Sequence, residues 1–465
     1  MDELLKLCGY EELEDKEDIQ RAKRAFHKLG VTDEDVERAK RNIRKYYDVE
    51  LEGIRKMLGI YLRDGVNLVL AREDGRTNIV YAIMAEGFDL IASAFTSKSE
   101  EVYVSWPEST FEILFGPTFF DKQHEVLEAA EARWLKEGIV SHCANVKMLA
   151  GLVALDLIPR PDLLIVSGFL CDVAPKTVDL MHEFYDVPMY YFGTCLDREE
   201  DEGPEAEKER VALAANQMEE LVKNMVEVIG IEVTEEDLWK QIEAKKDLKN
   251  NMAQIHGLLD NSKKPLISAT HGSVIFLLQR LAANWSNVPR LIDTTSIIYN
   301  ELKERYDKGY GVVEEDAPLI LALNPVSFTD PRLEYMIEQL GMAVTTEIDL
   351  FFPDGRRAPE VEETDNVYVK LCAFLQDSKT RKLADRFNIF KESAKKLKVD
   401  GILCRGHVGC RTIYGDIMVM KDALGKELGV PTMLLEVESF DPRFYNHEVF
   451  KRRMEMFKMM IESQG

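Results

Sequence analysis

Two stretches of the chain carry the same alternation of apolar strands and helices. The first contains a buried helix at 144–157, the strand in PDLLIV, a helix at about 176–185 and the strand in VPMYYF. The second contains a helix at about 380–397, the strand in VDGILC, a helix at about 414–428 and the strand in VPTMLL. Apolar strands that alternate with helices form parallel sheets covered on both faces. The repeat therefore predicts an α/β fold with two doubly wound parallel-sheet domains.

The remaining segments divide the chain into three predicted parts. Residues 1–105 are predicted to be a mainly helical lead-in, with short strands at 67–70, 79–83 and 90–91. Residues 106–305 form the first α/β domain, and a helical insertion occupies about 205–260. Residues 306–465 form the second α/β domain and end in an amphipathic helix. That helix carries four methionines at helical spacing, Met454, Met456, Met459 and Met460. We expect them to lie in the core or in a dimer interface.

Composition limits the function classes. The 465 residues include 83 acidic and 59 basic side chains, which give a net charge of −24. Nucleic acids and anionic membranes both require clustered positive charge, so a small molecule or a protein is the expected partner. No apolar run approaches the ~20 residues of a membrane helix. The charged N-terminal segment lacks a signal-peptide layout, and we expect a cytoplasmic protein.

Six of the seven cysteines follow the repeat. Seven cysteines in a large cytoplasmic chain argue against a disulfide framework, and a single cysteine is most often an inert buried thiol. The repeat, however, puts Cys143 opposite Cys372 and Cys171 opposite Cys410. Asp162 precedes Cys171 by nine residues, and Asp400 precedes Cys410 by ten. Each half adds one further cysteine, Cys195 in the first and Cys404 in the second. Cys8 lies outside the pattern and is expected to be an ordinary buried thiol.

These positions predict a metal centre. Ligands of doubly wound sheets bind outside the carboxyl ends of the strands, and a helix N-terminus favours a thiolate. Four cysteines are predicted at or just past strand ends (Cys171, Cys195, Cys404, Cys410), and two before helices (Cys143, Cys372). Structural zinc normally uses short paired spacings, and no CxxC occurs here. Thiolates from separate strand ends suit iron–sulfur clusters, and a cubane held by three of them leaves one iron open.

Several polar residues accompany the cysteines. His142 and His407 could donate a proton to a substrate or a hydrogen bond to sulfide, or could be supporting or surface histidines. Arg405 and Arg411 could offset cluster charge or be solvated, and His271 could face the inter-domain cleft or lie in a turn. The glycines of RGHVGCR allow backbone to approach a cluster. No GxxxxGK[ST] motif is present, so ATP binding of the P-loop kind is not expected.

Longer segments resemble one known family. HCANVKMLAGLVAL, PDLLIVSGFLCD, DVPMYYF, GVPTMLLEVESFD and FKRRMEMF resemble the 2-hydroxyacyl-CoA dehydratase and benzoyl-CoA reductase family over roughly residues 106–465. The resemblance implies two flavodoxin- or Rossmann-like domains beside an iron–sulfur site, with electrons from a separate ATP-hydrolysing iron–sulfur activator. The first half of the repeat contains the trio Cys143, Cys171 and Cys195, and the second half contains a second trio, Cys372, Cys404 and Cys410. The second trio departs from the dehydratase pattern and resembles the double-cubane cluster proteins of the superfamily. In that branch two cubanes share a bridging sulfide, six cysteines ligate them, and the protein is a homodimer.

The leading prediction is thus an oxygen-sensitive iron–sulfur oxidoreductase of anaerobic metabolism. A double-cubane [8Fe–9S] cluster, or one or two [4Fe–4S] clusters, would be held by the six cysteines, with His142 and His407 as catalytic candidates. The cluster would reduce a small molecule at a potential toward the low end of the iron–sulfur range, near about −700 mV. A 2-hydroxyacyl-CoA dehydratase subunit, a radical lyase with a [4Fe–4S] cluster, is the alternative. A non-enzymatic iron–sulfur carrier or scaffold is the third hypothesis.

Overall fold

A computed structural model of the chain contains two four-stranded parallel sheets. It describes residues 1–11, 16–85, 87–168, 171–193, 204–262, 264–314, 316–323, 330–346, 364–372 and 383–464. The strands of the first sheet are β1 (Asn78–Ile83), β2 (Val102–Ser105), β3 (Leu163–Ser167) and β4 (Met189–Phe192), in the order β2-β1-β3-β4. Those of the second are β5 (Leu319–Leu323), β6 (Ala343–Thr346), β7 (Gly401–His407) and β8 (Thr432–Val437), in the order β6-β5-β7-β8. The predicted α/β fold with two parallel-sheet units is confirmed, and the two sheets share one strand order.

The internal repeat extends to matching hydrogen bonds. Asp162, just before β3, accepts a hydrogen bond at 2.7 Å from the backbone N–H of Ile79 in β1. Asp400, just before β7, accepts one at 2.8 Å from the backbone N–H of Leu319 in β5. Each aspartate also donates its own N–H to the carbonyl of the same partner. The two equivalent aspartates therefore set the register between equivalent strands in both units.

Helices surround both sheets. Before β4 they are α1 (Asp2–Leu7), α2 (Lys16–Lys28), α3 (Asp33–Tyr46), α4 (Glu52–Leu70), α5 (Phe88–Thr96), α6 (Pro107–Phe115), α7 (Gln123–Arg133), α8 (Ala144–Ala154) and α9 (Val173–Tyr185). After β4 they are α10 (Pro204–Ile229), α11 (Glu235–Ala244), α12 (Lys246–Asn261), α13 (Ala269–Leu277), α14 (Val288–Asp307), α15 (Arg332–Gln339), α16 (Val367–Leu371), α17 (Leu383–Leu397), α18 (Arg411–Leu428) and α19 (His447–Glu462). The predicted helical insertion corresponds to α10, α11 and α12. Within the described residues, no helix is long and apolar enough to cross a membrane.

The N-terminal region differs from its prediction in two places. The strands expected at 67–70 and 90–91 are wrong, because these residues lie in α4 and α5. Helix α4 is buried on nearly all sides by α2, α6 and α14, so its apolar residues lack the one-sided period that identifies an amphipathic helix. The strand expected at 79–83 is present as β1. Together with β2 it supplies half of the first sheet, so that sheet begins within the predicted lead-in.

Alternating side chains place the hydrophobic cores on both faces of each sheet. In β5, Ile320 and Ala322 join one buried cluster, whereas Leu321 and Leu323 join another. The first sheet is covered in the same two-sided way. Helix α16 follows β6 in the chain but packs against α10 and α11 of the first unit. The two units are thus in contact through several elements, and their facing edges can share a site.

Candidate metal centre

Three cysteines lie at or just before helix N-termini. Cys143 is the N-cap residue of α8, and Cys410 is the N-cap residue of α18. Cys171 lies two residues before α9, and its Sγ accepts a hydrogen bond at 3.3 Å from the backbone N–H of Ala174. Unpaired N–H groups and the positive end of the helix dipole favour negative charge at such positions. Three helices from the two units thus direct their positive ends toward these thiols.

The three thiols influence one another electrostatically. Burial raises the pKa of Cys143 well above its ordinary value, and negative charge on Glu438, Cys171 and Cys410 raises that pKa further. Burial also raises the pKa of Cys171, against the backbone N–H groups of Ala174 and the preceding residue. Thiols that oppose each other's ionisation stay protonated when no cation is present. A coordinated metal reverses this balance, because it deprotonates the thiols that bind it.

Two further polar side chains complete the group around Cys143. His407 ends β7, and Glu438 follows β8 directly, so both stand at the carboxyl edge of the second sheet. One ligand atom from each of Cys143, His407 and Glu438 lies within 4.8 Å of the others. The distance from Cys143 Sγ to His407 Nε2 is 3.7 Å. The site therefore combines sulfur from the first unit with nitrogen and oxygen from the second.

Glu438 has unusual surroundings for a carboxylate. Its side chain is 7% exposed, and Oε1 has no hydrogen-bond partner among the described residues. Burial raises the pKa of Glu438 to about 7, although backbone N–H groups of Phe440 and Gly409 lower that pKa. Burial likewise lowers the pKa of His407 to about 4, so its imidazole is neutral. Neutral imidazole and a carboxylate are both competent metal donors.

The segment that follows Glu438 fastens the second unit to the first. Gln123 in α7 donates a hydrogen bond at 2.5 Å to the backbone carbonyl of Phe440. Arg443 forms an ion pair at 2.8 Å with Glu131 in α7, and Lys147 in α8 pairs with the same carboxylate at 2.7 Å. These contacts hold Glu438 beside the N-terminus of α8. The geometry of the centre is thus maintained by polar contacts between the units.

The other cysteines lie in different surroundings. Cys404 was expected at a strand end, and this is wrong, because β7 continues to His407 and Cys404 pairs in mid-strand with Leu323 and Leu434. Cys404 is fully buried in an apolar cluster of the second unit, and burial raises its pKa to about 12. Cys372 follows the end of α16 and lies in a different apolar cluster, beside the first sheet. Burial raises the pKa of Cys372 to about 12 as well.

Two cysteines complete the count. Cys195 lies outside the described residues, so its predicted position at a strand end stays a prediction. Cys8 is fully buried in the N-terminal core, as expected for a thiol with no functional role. Among the cysteines that the structure describes, the group around Cys143 therefore contains Cys171 and Cys410, whereas Cys372 and Cys404 lie in apolar clusters.

The remaining candidates lie in varied positions. His142 makes a 2.8 Å hydrogen bond with the hydroxyl of Thr177, and burial lowers its pKa. Arg405 is buried in an ion pair with Glu334 at 2.5 Å, so of the two alternatives for this residue the solvated one is wrong. His271 lies in the first turn of α13, and its Nε2 accepts a hydrogen bond from the backbone N–H of Asp48. The side chain of Arg411 lies outside the part of the chain that the structure describes.

Glu438 was missed in the sequence, although a signal was available. It is the last residue of the predicted strand VPTMLLEVE, at the carboxyl end where ligands of doubly wound sheets bind. The donor chemistry fits an iron–sulfur cluster: three soft thiols, backbone N–H groups near the sulfurs, and enclosure between two units. Cys143, Cys171 and Cys410 would hold such a cluster, and His407 and Glu438 would stand beside it.

Comparison with known proteins agrees with this chemistry. A family model described as the D-component of 2-hydroxyglutaryl-CoA dehydratase matches residues 117–461, which include the whole candidate centre. The chain belongs to this family. A component of benzoyl-CoA reductase from Thauera aromatica is also similar, at 18% identity over 317 residues that cover 66% of this chain and 72% of that protein. The family predicted from the sequence is thereby confirmed, and the chain is a member of an enzyme family of dehydratase or reductase type.

Proposed function

We propose that this chain binds one cubane-type iron–sulfur cluster between its two α/β units and passes single electrons from it to an acyl-CoA thioester. The observation that carries the proposal is that Cys171 and Cys410, both at helix N-termini, lie near enough to Cys143 to influence its ionisation, while His407 and Glu438 lie beside Cys143. The cluster would supply low-potential one-electron chemistry. The chain would supply sulfur ligands, backbone N–H groups near those sulfurs, and a closed inter-unit site that limits water.

The substrate class rests on the family. Both the matched family and the Thauera protein are named for acyl-CoA substrates. A single centre with three thiols also suits the dehydratase alternative better than the double-cubane prediction. We infer that a CoA thioester, either a 2-hydroxyacyl or an aromatic acyl derivative, is the first class of substrate to test.

The double-cubane reductase stays as the second candidate, supported by the internal repeat that pairs Cys171 with Cys410. In that prediction the first trio is Cys143, Cys171 and Cys195, and the second trio is Cys372, Cys404 and Cys410. Cys372 and Cys404 lie in separate apolar clusters, so both would have to leave their surroundings to share irons with the first trio. Burial of a cysteine among apolar side chains is its ordinary packing role. The geometry therefore favours the single cluster.

Electron supply is proposed to come from a separate ATP-hydrolysing iron–sulfur activator. The chain contains no P-loop motif, which agrees with ATP hydrolysis on another protein. Its net charge of −24 agrees with a protein partner rather than nucleic acid. A homodimer, or a pair with a second member of the family, would carry out the complete reaction.

The test begins with the anaerobically purified chain. Iron and acid-labile sulfide should each amount to about four per chain for one cubane, and about eight irons for a double cubane. The cluster is then reduced with activator and ATP and observed by electron paramagnetic resonance. Addition of a 2-hydroxyacyl-CoA or benzoyl-CoA should reoxidise it. A chain without iron and sulfide would refute the proposal. A reduced cluster that neither thioester reoxidises would refute the substrate class.

A further inference from the structure

A buried carboxyl oxygen without a partner faces the three-thiol group. Glu438 Oε1 is fully enclosed and has no hydrogen-bond partner among the described residues. It lies 3.5 Å from His407 Nδ1, and a carboxylate oxygen of Glu438 lies within 4.8 Å of Cys143 Sγ. Buried polar atoms normally have a partner, because an unsatisfied one loses its hydration without compensation. The missing partner of Oε1 therefore belongs in the space beside the thiols.

The imidazole beside it is oriented toward sulfur. The backbone N–H of Ser439 donates to His407 Nδ1 at 3.3 Å. A neutral imidazole that accepts at Nδ1 carries its proton on Nε2, and Nε2 lies 3.7 Å from Cys143 Sγ. In this tautomer His407 donates a hydrogen bond to the sulfur and does not act as a metal ligand. Glu438 remains as the oxygen donor of the group.

Gly409 provides the room for this arrangement. A Cβ atom at position 409 would lie 2.4 Å from Glu438 Oε2 and 3.3 Å from the Cα atom of Cys143. Any side chain here would therefore displace the carboxylate or the backbone that carries the first thiol. The absence of a side chain at Gly409 lets sulfur from one unit and oxygen from the other lie side by side.

We propose that Glu438 supplies a carboxylate oxygen to the one cluster iron that Cys143, Cys171 and Cys410 leave without a thiolate. The inference rests on the proposed function, because it requires the three-thiol cluster to exist. A carboxylate is a harder donor than a thiolate and binds iron less tightly than sulfur does. The iron that Glu438 ligates is thus chemically distinct from the other three and is the one able to exchange its ligand.

The test compares Glu438→Gln with a matched control two residues earlier, in β8. Glu436→Gln is the control, since Glu436 is exposed and accepts a hydrogen bond from the Tyr414 hydroxyl at 2.6 Å, away from the thiols. Both variants and the wild type are grown with ⁵⁷Fe and purified anaerobically. All three should keep the iron and sulfide content of the wild type, because the thiolates hold the cluster.

Mössbauer spectra then separate the outcomes. In the wild type, about a quarter of the cluster iron should give its own quadrupole doublet, and this doublet should shift in Glu438→Gln but not in Glu436→Gln. Identical spectra for the wild type and Glu438→Gln would overturn the inference and leave the proposed function intact. A wild-type chain without iron and sulfide would instead refute the proposed function.

A second measurement avoids substitution altogether, in case Glu438→Gln does not fold. Wild-type protein labelled with ¹³C at glutamate carboxyl groups is reduced and examined by electron–nuclear double resonance. One carboxyl carbon should show a strong coupling to the cluster spin, as expected for a ligand. The absence of any strongly coupled carboxyl carbon in a chain that contains the cluster would overturn the inference.

Discussion

The buried ion pair between Arg405 and Glu334 allows a quantitative prediction about the second unit. The two side chains are 1% and 0% exposed and lie 2.5 Å apart. Replacing Arg405 by Met leaves the Glu334 carboxylate buried without its partner, which costs about 3–5 kcal/mol. Replacing both residues, with Glu334→Leu added, removes the two charges together and should restore most of that loss. The pair is therefore expected to show strong thermodynamic coupling.

Scanning calorimetry under anaerobic conditions measures this effect. For a unit of this size about 1 kcal/mol corresponds to roughly 2–4 °C, so Arg405→Met should lower the unfolding temperature of the second unit by roughly 6–20 °C. Lys451→Met serves as the control, because the ion pair of Lys451 with Glu455 is exposed and long at 4.0 Å. This variant should change the unfolding temperature by only about 1–2 °C. A shift below about 2 °C for Arg405→Met, or a double variant as unstable as the sum of the single ones, would refute the reasoning.

Three smaller predictions concern the register, the inter-unit contact and the sulfur environment. Asp400→Ala removes the acceptor for a strand N–H and should destabilise the second unit by about 1 kcal/mol in calorimetry, whereas no change would contradict its register role. Hydrogen bonding to Arg443 lowers the pKa of Glu131 from 4.5 to about 2. The contact should therefore be intact above pH 4.5 and weaken as the pH falls from 4.5 toward 2, by about 1 kcal/mol after screening. Hydrogen exchange of residues 438–445 checks this, and an unchanged pH profile in Glu131→Gln would contradict it. His407→Ala removes a hydrogen bond to sulfur that stabilises the reduced cluster, so the midpoint potential should fall by about 40 mV, equivalent to about 1 kcal/mol. An unchanged or raised potential in redox titration would contradict it.

Local sequence patterns predicted the repeated architecture well. Two sets of apolar strands, each followed by a helix at a similar spacing, require two covered parallel sheets whatever else the chain does. Asp162 and Asp400 marked equivalent points of the repeat before their hydrogen bonds to β1 and β5 were known. Where burial removed the one-sided period, as in α4, the same local patterns gave a wrong assignment.

The sequence could not show where β7 ends. Its apolar part stops at Cys404, and a charged residue then suggests a loop. The strand continues because Arg405 forms an ion pair with Glu334 inside the second unit, which allows Arg405 to be buried. This long-range pair moves Cys404 from a strand end to the middle of a strand. Glu334 lies far from Arg405 in the chain, so the residues around Arg405 give no indication of this ion pair.

The composition of the candidate centre depended on contacts between the units. Cys143 and His407 are separated by 264 positions, and Glu438 reaches them because the following segment is fastened to α7 and α8. Spacing within each half could suggest which cysteines occupy equivalent positions of the repeat. Equivalent positions in the repeat, however, do not have to lie close together in the fold. Cys372, the counterpart of Cys143, lies beside the first sheet in an apolar cluster.

The most direct test of the central claim is the iron and acid-labile sulfide content of two cysteine variants, purified anaerobically beside the wild type. Cys410→Ala should lose most of the iron and sulfide, because it removes one of three thiolates that hold the cluster. Cys404→Ala should retain the full wild-type amount, since Cys404 is buried among apolar side chains. Full iron in Cys410→Ala, or iron lost equally from both variants, would contradict a single cluster held by Cys143, Cys171 and Cys410.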